Sequence, residues 1–194
     1  MVFAVATNNQ KKLKEIQRIL DSFGITAKTL KELDIETEIE ENGTTFEENA
    51  LIKAKTIAEI SNLPTISDDS GLEVDALGGA PGVYTARFAG EHATDDENID
   101  KLLAEMKDVE KEKRTARFVS AVCLCMPDGK NTVCRGSCEG WIGYERIGEG
   151  GFGYDPVFMV GDISYSQMAP QDKDAISHRG SALRQLKEKI SQFI

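Results

Sequence analysis

Apolar residues along this chain recur with two periods, and each change of period marks an element boundary. Residues 2–7, VFAVAT, form a short apolar run that predicts a buried strand. After the connection NNQ, the segment 11–24 spaces Leu13, Ile16, Leu20 and Phe23 three or four apart, which predicts an amphipathic helix stopped by Gly24. A second helix is expected from Thr44 and Thr45 to about Ser61, because Thr44…Glu47 and Thr45…Glu48 both have the capping-box spacing. LPTIS at 63–67 and GLEVDAL at 71–77 read as strands separated by an acidic turn. A helix near 95–107, a hairpin over 115–143 and a strand in DPVFMV follow. In the last helix Ser177 is the expected N-cap, and Ala182, Leu183, Leu186, Ile190 and Phe193 form the buried side. The charged segment 110–114, EKEKR, is expected to be only a solvated connection. Strands and helices that alternate with no repeat or low-complexity linker predict one α/β domain over residues 1–194, built on a mixed sheet.

Within this pattern some residues sit where stability alone would not put them. Lys11 and Lys12 occupy the first turn of helix one, where the partial positive charge of the helix terminus disfavours cations by about 0.3–1 kcal/mol. Together with Thr7, Asn9 and the terminal N–H groups they would suit a phosphate; the competing reading is plain solvated lysines, since no G-x4-G-K-[ST] run is present. His178 and Arg179 repeat the anomaly in the opening turn of the last helix. Lys53 falls on the same helical face as Phe46, Ala50, Ile57 and Ile60, so it points inward, as a snorkelling side chain or as a cation meant for carboxylates or phosphates. The adjacent Asp68 and Asp69 repel each other, and a strand would aim them at opposite faces. They are therefore expected at a strand end, where a divalent metal could supply the cation, with Glu40 and Glu41 as further oxygen donors. Either acidic pair also fits an ordinary exposed turn.

Composition narrows the partners. Of 194 residues, 40% are apolar, enough for a core, and the formal charge of −10 would repel a nucleic acid polymer. No run approaches the ~20 apolar residues a membrane helix needs, and residue 1 leads straight into a strand pattern, so a cytoplasmic, non-membrane protein is expected. Cys123, Cys125, Cys134 and Cys138 lack the paired C-x2-C spacing of a zinc site. With Asp128 and Gly129 as a two-residue hairpin loop, Cys123 falls opposite Cys134 and all four sulfurs share a face. Buried free thiols are the favoured state, and a cross-strand disulfide is the alternative.

Five fragments in order, ATNNQKKLKEI at 6–16, TFEENALIKAK at 45–55, SDDSGLEVDALGGAPGVYTARFAG at 67–90, GFGYDPVF at 151–158 and SHRGSAL at 177–183, resemble the inosine triphosphate pyrophosphatase family over almost the whole chain. The resemblance implies an elongated mixed β-sheet flanked by helices, two lobes with the active site in the cleft between them, and a homodimer. It implies Mg²⁺-dependent hydrolysis of ITP, dITP and XTP at the α-phosphorus to monophosphate and pyrophosphate. By the same resemblance Thr7, Asn8, Asn9, Gln10, Lys11 and Lys12 would face the triphosphate, and Lys53 would stabilise its charge. Asp69 would bind metal and activate water, Asp68 would support it, and Glu41 would be the second metal carboxylate. Ser70 would touch substrate, and Phe152, Gly153, Tyr154, Asp155, Lys173, His178 and Arg179 would hold the nucleoside, with Phe152 stacking on the base and His178 and Arg179 reading its 6-oxo group. Two departures stand out: Asn8 replaces a glycine common in the family, and Ser166-Gln167-Met168 replaces an Ala-Glu-Leu-like triplet.

The chemistry fits the residue types, because phosphoryl transfer rests on positioning and charge neutralisation and needs no Ser or Cys nucleophile. A catalytically inactive nucleotide-binding regulator and a pyrimidine-directed pyrophosphatase are the rival readings; the second would lack the SHR segment at 177–179.

Overall fold

A computed structural model of the chain describes residues 2–193. Its elements, in order, are β1 (Val2–Ala6), α1 (Gln10–Ser22), β2 (Thr26–Thr29), α2 (Phe46–Ser61), β3 (Thr65–Val74), α3 (Asp95–Glu105), β4 (Thr115–Cys125), β5 (Asn131–Ile142), β6 (Phe158–Val160), β7 (Ile163–Ser164), α4 (Pro170–Ile176) and α5 (His178–Ile190), with short 3₁₀ turns between them. The strands form one seven-stranded sheet in the order β2-β1-β3-β4-β5-β6-β7. It is mixed: β1 runs parallel to both β2 and β3, whereas β6 is antiparallel to β5 and β7. This is the α/β class expected, a mixed sheet flanked by helices.

The chain divides into two compact units. One takes the residues up to 69, 120–136 and those from 178 on; the other takes 70–119 and 137–177. In the first unit Phe3 and Val5 of β1, Ile16 and Leu20 of α1, Ile66 of β3, Val122 and Leu124 of β4, and Leu183 and Leu186 of α5 share a core. Each such side chain contributes about 1.5–3 kcal/mol by leaving water. The second unit has its own core, in which Leu72, Val74, Ile99, Leu102 and Met106 pack with Phe118, Tyr154, Phe158 and Tyr165.

Local chemistry explains most boundaries. Asn9 caps α1, and Gly24 at φ 71° follows its last turn. The capping box of α2 forms between Thr45 and Glu48, and Thr44 adds a hydroxyl bond of 2.9 Å to the same carboxylate. Ile60, expected on the apolar face of α2, is exposed.

Three expectations need correction. Residues 65–74 are one continuous strand, so SDDSG is not a turn. The last helix, α5, opens at His178 directly after an extended Ser177, as expected, and a short helix not read from the sequence, α4, precedes it. Arg114, expected in solvent, is fully buried and donates to the carbonyls of Met106 (2.6 Å), Val109 (3.2 Å), Ile142 (2.6 Å) and Gly143 (2.8 Å). Its guanidinium satisfies the orphan carbonyls after α3 and at the end of β5, which a short polar chain could not reach together.

The hairpin register also differs. Gly129 N–H donates to Met126 O at 2.9 Å and Met126 N–H to Lys130 O at 2.8 Å, with Gly129 at φ 87°. The loop therefore has three residues, and the left-handed glycine makes a bulge that shifts the pairing by one. Continued along the strands, that register sets Val122 rather than Cys123 across from Cys134. Accordingly Cys134 packs with Val122 and Leu124, while Cys138 joins Phe118 in the other core. All four cysteines are buried and free, and burial pushes the Cys123 thiol up to about 12.

Candidate active site

The loop from β1 to α1 places Thr7, Asn8, Asn9, Gln10 and Lys11 at the surface, half or fully exposed. Asn9 has an extended backbone, and its Oδ1 accepts from Lys11 N–H (3.0 Å) and Lys12 N–H (3.1 Å), while its own N–H donates to Thr7 Oγ1 (3.2 Å). Most N–H groups of this terminus are thus used within the loop, contrary to the expectation that they are offered to a ligand. What the loop presents is side chains, above all the lysines.

Lys12 turns toward β3, where its ammonium lies 3.1 Å from Asp68 Oδ2. Asp68 and Asp69 stand in mid-strand and are both buried. Strand alternation resolves their repulsion, since successive side chains leave opposite faces and each carboxylate meets its own cations. Asp68 pairs with Lys12 and with Arg179 Nη2 at 3.1 Å, and accepts from the Ser120 hydroxyl. Burial alone would raise its pKa, but the charges of Arg179 and Lys12 and the Ser120 bond hold it well below the usual carboxylate range.

Asp69 faces α2. Lys53, buried on the inner side of that helix as its phase requires, lies 2.9 Å from Asp69 Oδ1 and 2.7 Å from Glu41 Oε2, and Asn49 Nδ2 lies 3.4 Å from Asp69 Oδ2. Desolvation raises the pKa of Asp69, and the nearby lysines only partly offset it. For Lys53 burial works against the charge, yet Asp69 and Glu41 outweigh it and its pKa rises. Of the acidic pair before α2, Glu41 is the member that reaches Lys53.

Two carboxylates against one ammonium leave negative charge that a divalent cation would balance. Among the described residues no three His, Cys, Asp or Glu side chains form a ready-made metal cluster. Mg²⁺ needs none, because it takes one or two protein carboxylates and fills its shell with water and phosphate oxygens. Glu41 and Asp69 fit that requirement.

In the second unit Ser70 continues β3, and residues 152–155 form a tight loop. Asp155 Oδ2 accepts from Phe152 N–H at 2.9 Å and from Lys173 Nζ at 2.6 Å, and both Asp155 and Lys173 are buried. The Lys173 ammonium also sits 5.0 Å from the Phe152 ring centroid, which fixes one face of that ring. Gly153 N–H donates to Asp95 Oδ2 at 2.9 Å, and the Tyr154 hydroxyl donates to Thr85 O at 2.8 Å.

His178 and Arg179 open α5 in the first unit and are buried. The Arg179 guanidinium donates through Nη1 to Glu15 of α1 and through Nη2 to Asp68. These two carboxylates raise its pKa although burial opposes them. Glu15 and Ser120 were not singled out from sequence; the only signal was an acid at the rim of the apolar stripe of α1. β5 approaches α5 at Gly136, where a Cβ would strike the His178 carbonyl and lie 2.6 Å from Ala182 N.

The chain matches known proteins over nearly its whole length. Residues 3–189 match the Ham1 family. The chain is 47% identical over 193 residues to the dITP/XTP pyrophosphatase of Bacillus anthracis, covering 97% of this chain and 96% of that one. It is 51% identical over 187 residues to the dITP/XTP pyrophosphatase of Nocardia farcinica, covering 94% and 91%. Among solved structures, a HAM1 protein from Coxiella burnetii superposes with a TM-score of 0.87 at 40% identity over 99% of both chains. The Ham1 protein of Staphylococcus aureus gives 0.87 at 38% identity over the whole of both.

Proposed function

The chain belongs to the Ham1 family, and on that premise we propose that it hydrolyses the non-canonical purine nucleotides ITP, dITP and XTP at the α-phosphorus, releasing monophosphate and pyrophosphate. The observation that carries this reading is the alternation of cations and carboxylates around β3, with Lys12 on Asp68 and Lys53 between Asp69 and Glu41.

Asp69 is the base: it orients a water, takes its proton, and the oxygen attacks the α-phosphorus in line with the departing pyrophosphate. Lys12 and Lys53 neutralise charge on the triphosphate and on the leaving group, and Thr7, Asn8, Asn9, Gln10 and Lys11 line its path. Asp68 stays ionised and anchors Lys12. Glu41 and Asp69 would hold Mg²⁺, which supplies charge neutralisation of the phosphates when bound.

On the nucleoside side Phe152 stacks on the base, held by the Asp155–Lys173 pair, Gly153 and Tyr154 continue its loop, and Ser70 touches the substrate. His178 and Arg179 direct donors to a 6-oxo group. Both terminal nitrogens of Arg179 also serve carboxylates, so in this reading the residue anchors the site as well as reading the base. Adenine presents an amino donor there. Two donors left unpaired at about 1–3 kcal/mol each cost about 2 kcal/mol or more, enough for roughly thirtyfold rejection at the least. A homodimer in the cytoplasm is part of the same proposal; sedimentation tests the first and cell fractionation the second.

The decisive experiment incubates the protein with Mg²⁺ and ITP, dITP, XTP, ATP, GTP or dTTP, and separates pyrophosphate from orthophosphate. Monophosphate and pyrophosphate are expected from the first three. Orthophosphate with a diphosphate would sink the α-phosphorus assignment, equal rates on ATP the base reading, and binding without turnover would favour an inactive regulator.

A further inference from the structure

Thr85 has no role in the mechanism, yet it bonds in two directions. It lies in the 3₁₀ segment Gly82–Arg87. Its hydroxyl accepts from the backbone N–H of Leu72 at 2.9 Å, and its carbonyl accepts the Tyr154 hydroxyl at 2.8 Å. Leu72 is two residues beyond Ser70 in β3, and Tyr154 is two beyond Phe152. Both ends are closed to water, since Leu72 is fully buried and Tyr154 is 3% exposed. A bond lost at either end would leave a polar group buried without its partner.

The segment that carries Thr85 is itself fixed by α3. Asn98 Nδ2 donates to Ala86 O at 3.0 Å and Asn98 Oδ1 accepts from Ala89 N–H at 2.8 Å. From the same helix Asp95 holds Gly153 N–H. The tyrosine hydroxyl thus gives its hydrogen to the protein, which ties Tyr154, expected among the substrate contacts, to the segment that carries Thr85.

We propose that Thr85 is a positioning residue for nucleobase binding, tying β3 at Leu72 to the Phe152–Asp155 loop through Tyr154. The assignment rests on the function proposed above, because it takes that loop to grip the base. Its effect is confined to the base end of the ligand. Thr85→Val keeps the shape and cuts the Leu72 bond, Thr85→Ser keeps the bond, and Tyr154→Phe cuts the other end.

The test measures binding of two probes by calorimetry: inosine monophosphate, which carries the base, and inorganic tripolyphosphate, which does not. Thr85→Val should weaken inosine monophosphate about tenfold and tripolyphosphate by less than about twofold. Thr85→Ser should restore the affinity. Tyr154→Phe should reproduce the loss, and the double variant should lose little more than either alone, since both cuts sever one link. Equal weakening of both probes, or additive losses, would show general damage and overturn the assignment. Unchanged inosine monophosphate binding in Thr85→Val would overturn it as well, while leaving the proposed function standing. No inosine monophosphate binding by the unaltered protein would overturn both.

Discussion

Replacing each member of the Asp68–Asp69 pair with asparagine should separate stability from catalysis. Asp68→Asn removes the charge that faces Arg179 and Lys12, each at 3.1 Å, within a site 1% exposed. Breaking a buried ion pair costs about 3–5 kcal/mol, and Arg179 keeps Glu15, so the lower figure applies. At about 2–4 °C per kcal/mol for a chain of this size, the melting temperature should fall by about 6–12 °C. Asp69 is the reverse case, because burial already disfavours its charge and Lys53 keeps Glu41 when Asp69 is neutral. Asp69→Asn should therefore shift melting by less than about 3 °C, while losing about 10²–10⁴-fold in turnover as the proton acceptor disappears. Thermal melts and pyrophosphate release measured on both proteins decide the matter. If Asp69→Asn melts lower than Asp68→Asn, or if the two lose equal turnover, the division of labour drawn from their contacts is wrong.

Other outcomes follow from the same contacts. Gly136→Ala should lower the melting temperature by several degrees and reduce activity, because the added methyl has no room against His178 O and Ala182 N; unchanged melting would refute the close approach. The Glu48 carboxylate accepts from the Thr44 N–H and hydroxyl and from Thr45 N–H, and that of Glu97 from the Thr94 N–H and hydroxyl, which lowers their pKa below the ordinary 4.5. Their contribution to stability is then complete above about pH 4.5 and fades below it, so the gap in melting temperature between the protein and its Glu48→Gln variant should close as the pH falls. Chelating divalent ions should abolish pyrophosphate release without altering the melt. The thiols, raised by burial, should react with an aromatic disulfide reagent only after unfolding.

Much of this was legible in the sequence wherever the signal is local. The apolar phase of α2 turned Lys53 inward, and the Thr45–Glu48 spacing set the start of that helix. β2 escaped because its four residues, TAKT, bury only Ala27 and show no apolar run. The acidic pair reads as a turn because Asp, Ser and Gly favour turns, whereas the cations that let it sit in mid-strand come from elsewhere in the chain. Arg179 meets Glu15 from 164 residues away, and Ser120 meets Asp68 from 52. No periodicity reports such partners, and the same holds for Thr85 and Tyr154, 69 apart. The hairpin register failed through one residue, since a loop of two and a loop of three read alike until Gly129 adopts its left-handed backbone.

The order in which the first unit draws its pieces from the chain bears on synthesis. Lys12, Lys53 and both aspartates are translated early, but Ala182, Leu183 and Leu186 complete their core and Arg179 balances Asp68 only when α5 arrives. A nascent chain that has reached β7 carries Lys12, Lys53 and Asp69, with an Asp68 that lacks its guanidinium and a core that lacks its last helix. The core and the Asp68 ion pair of this unit are therefore complete only once α5 has been made. A stalled or early-terminated product would expose the apolar faces of β1, β3 and β4 that α5 covers, making it a substrate for chaperones and proteases rather than a partly active enzyme.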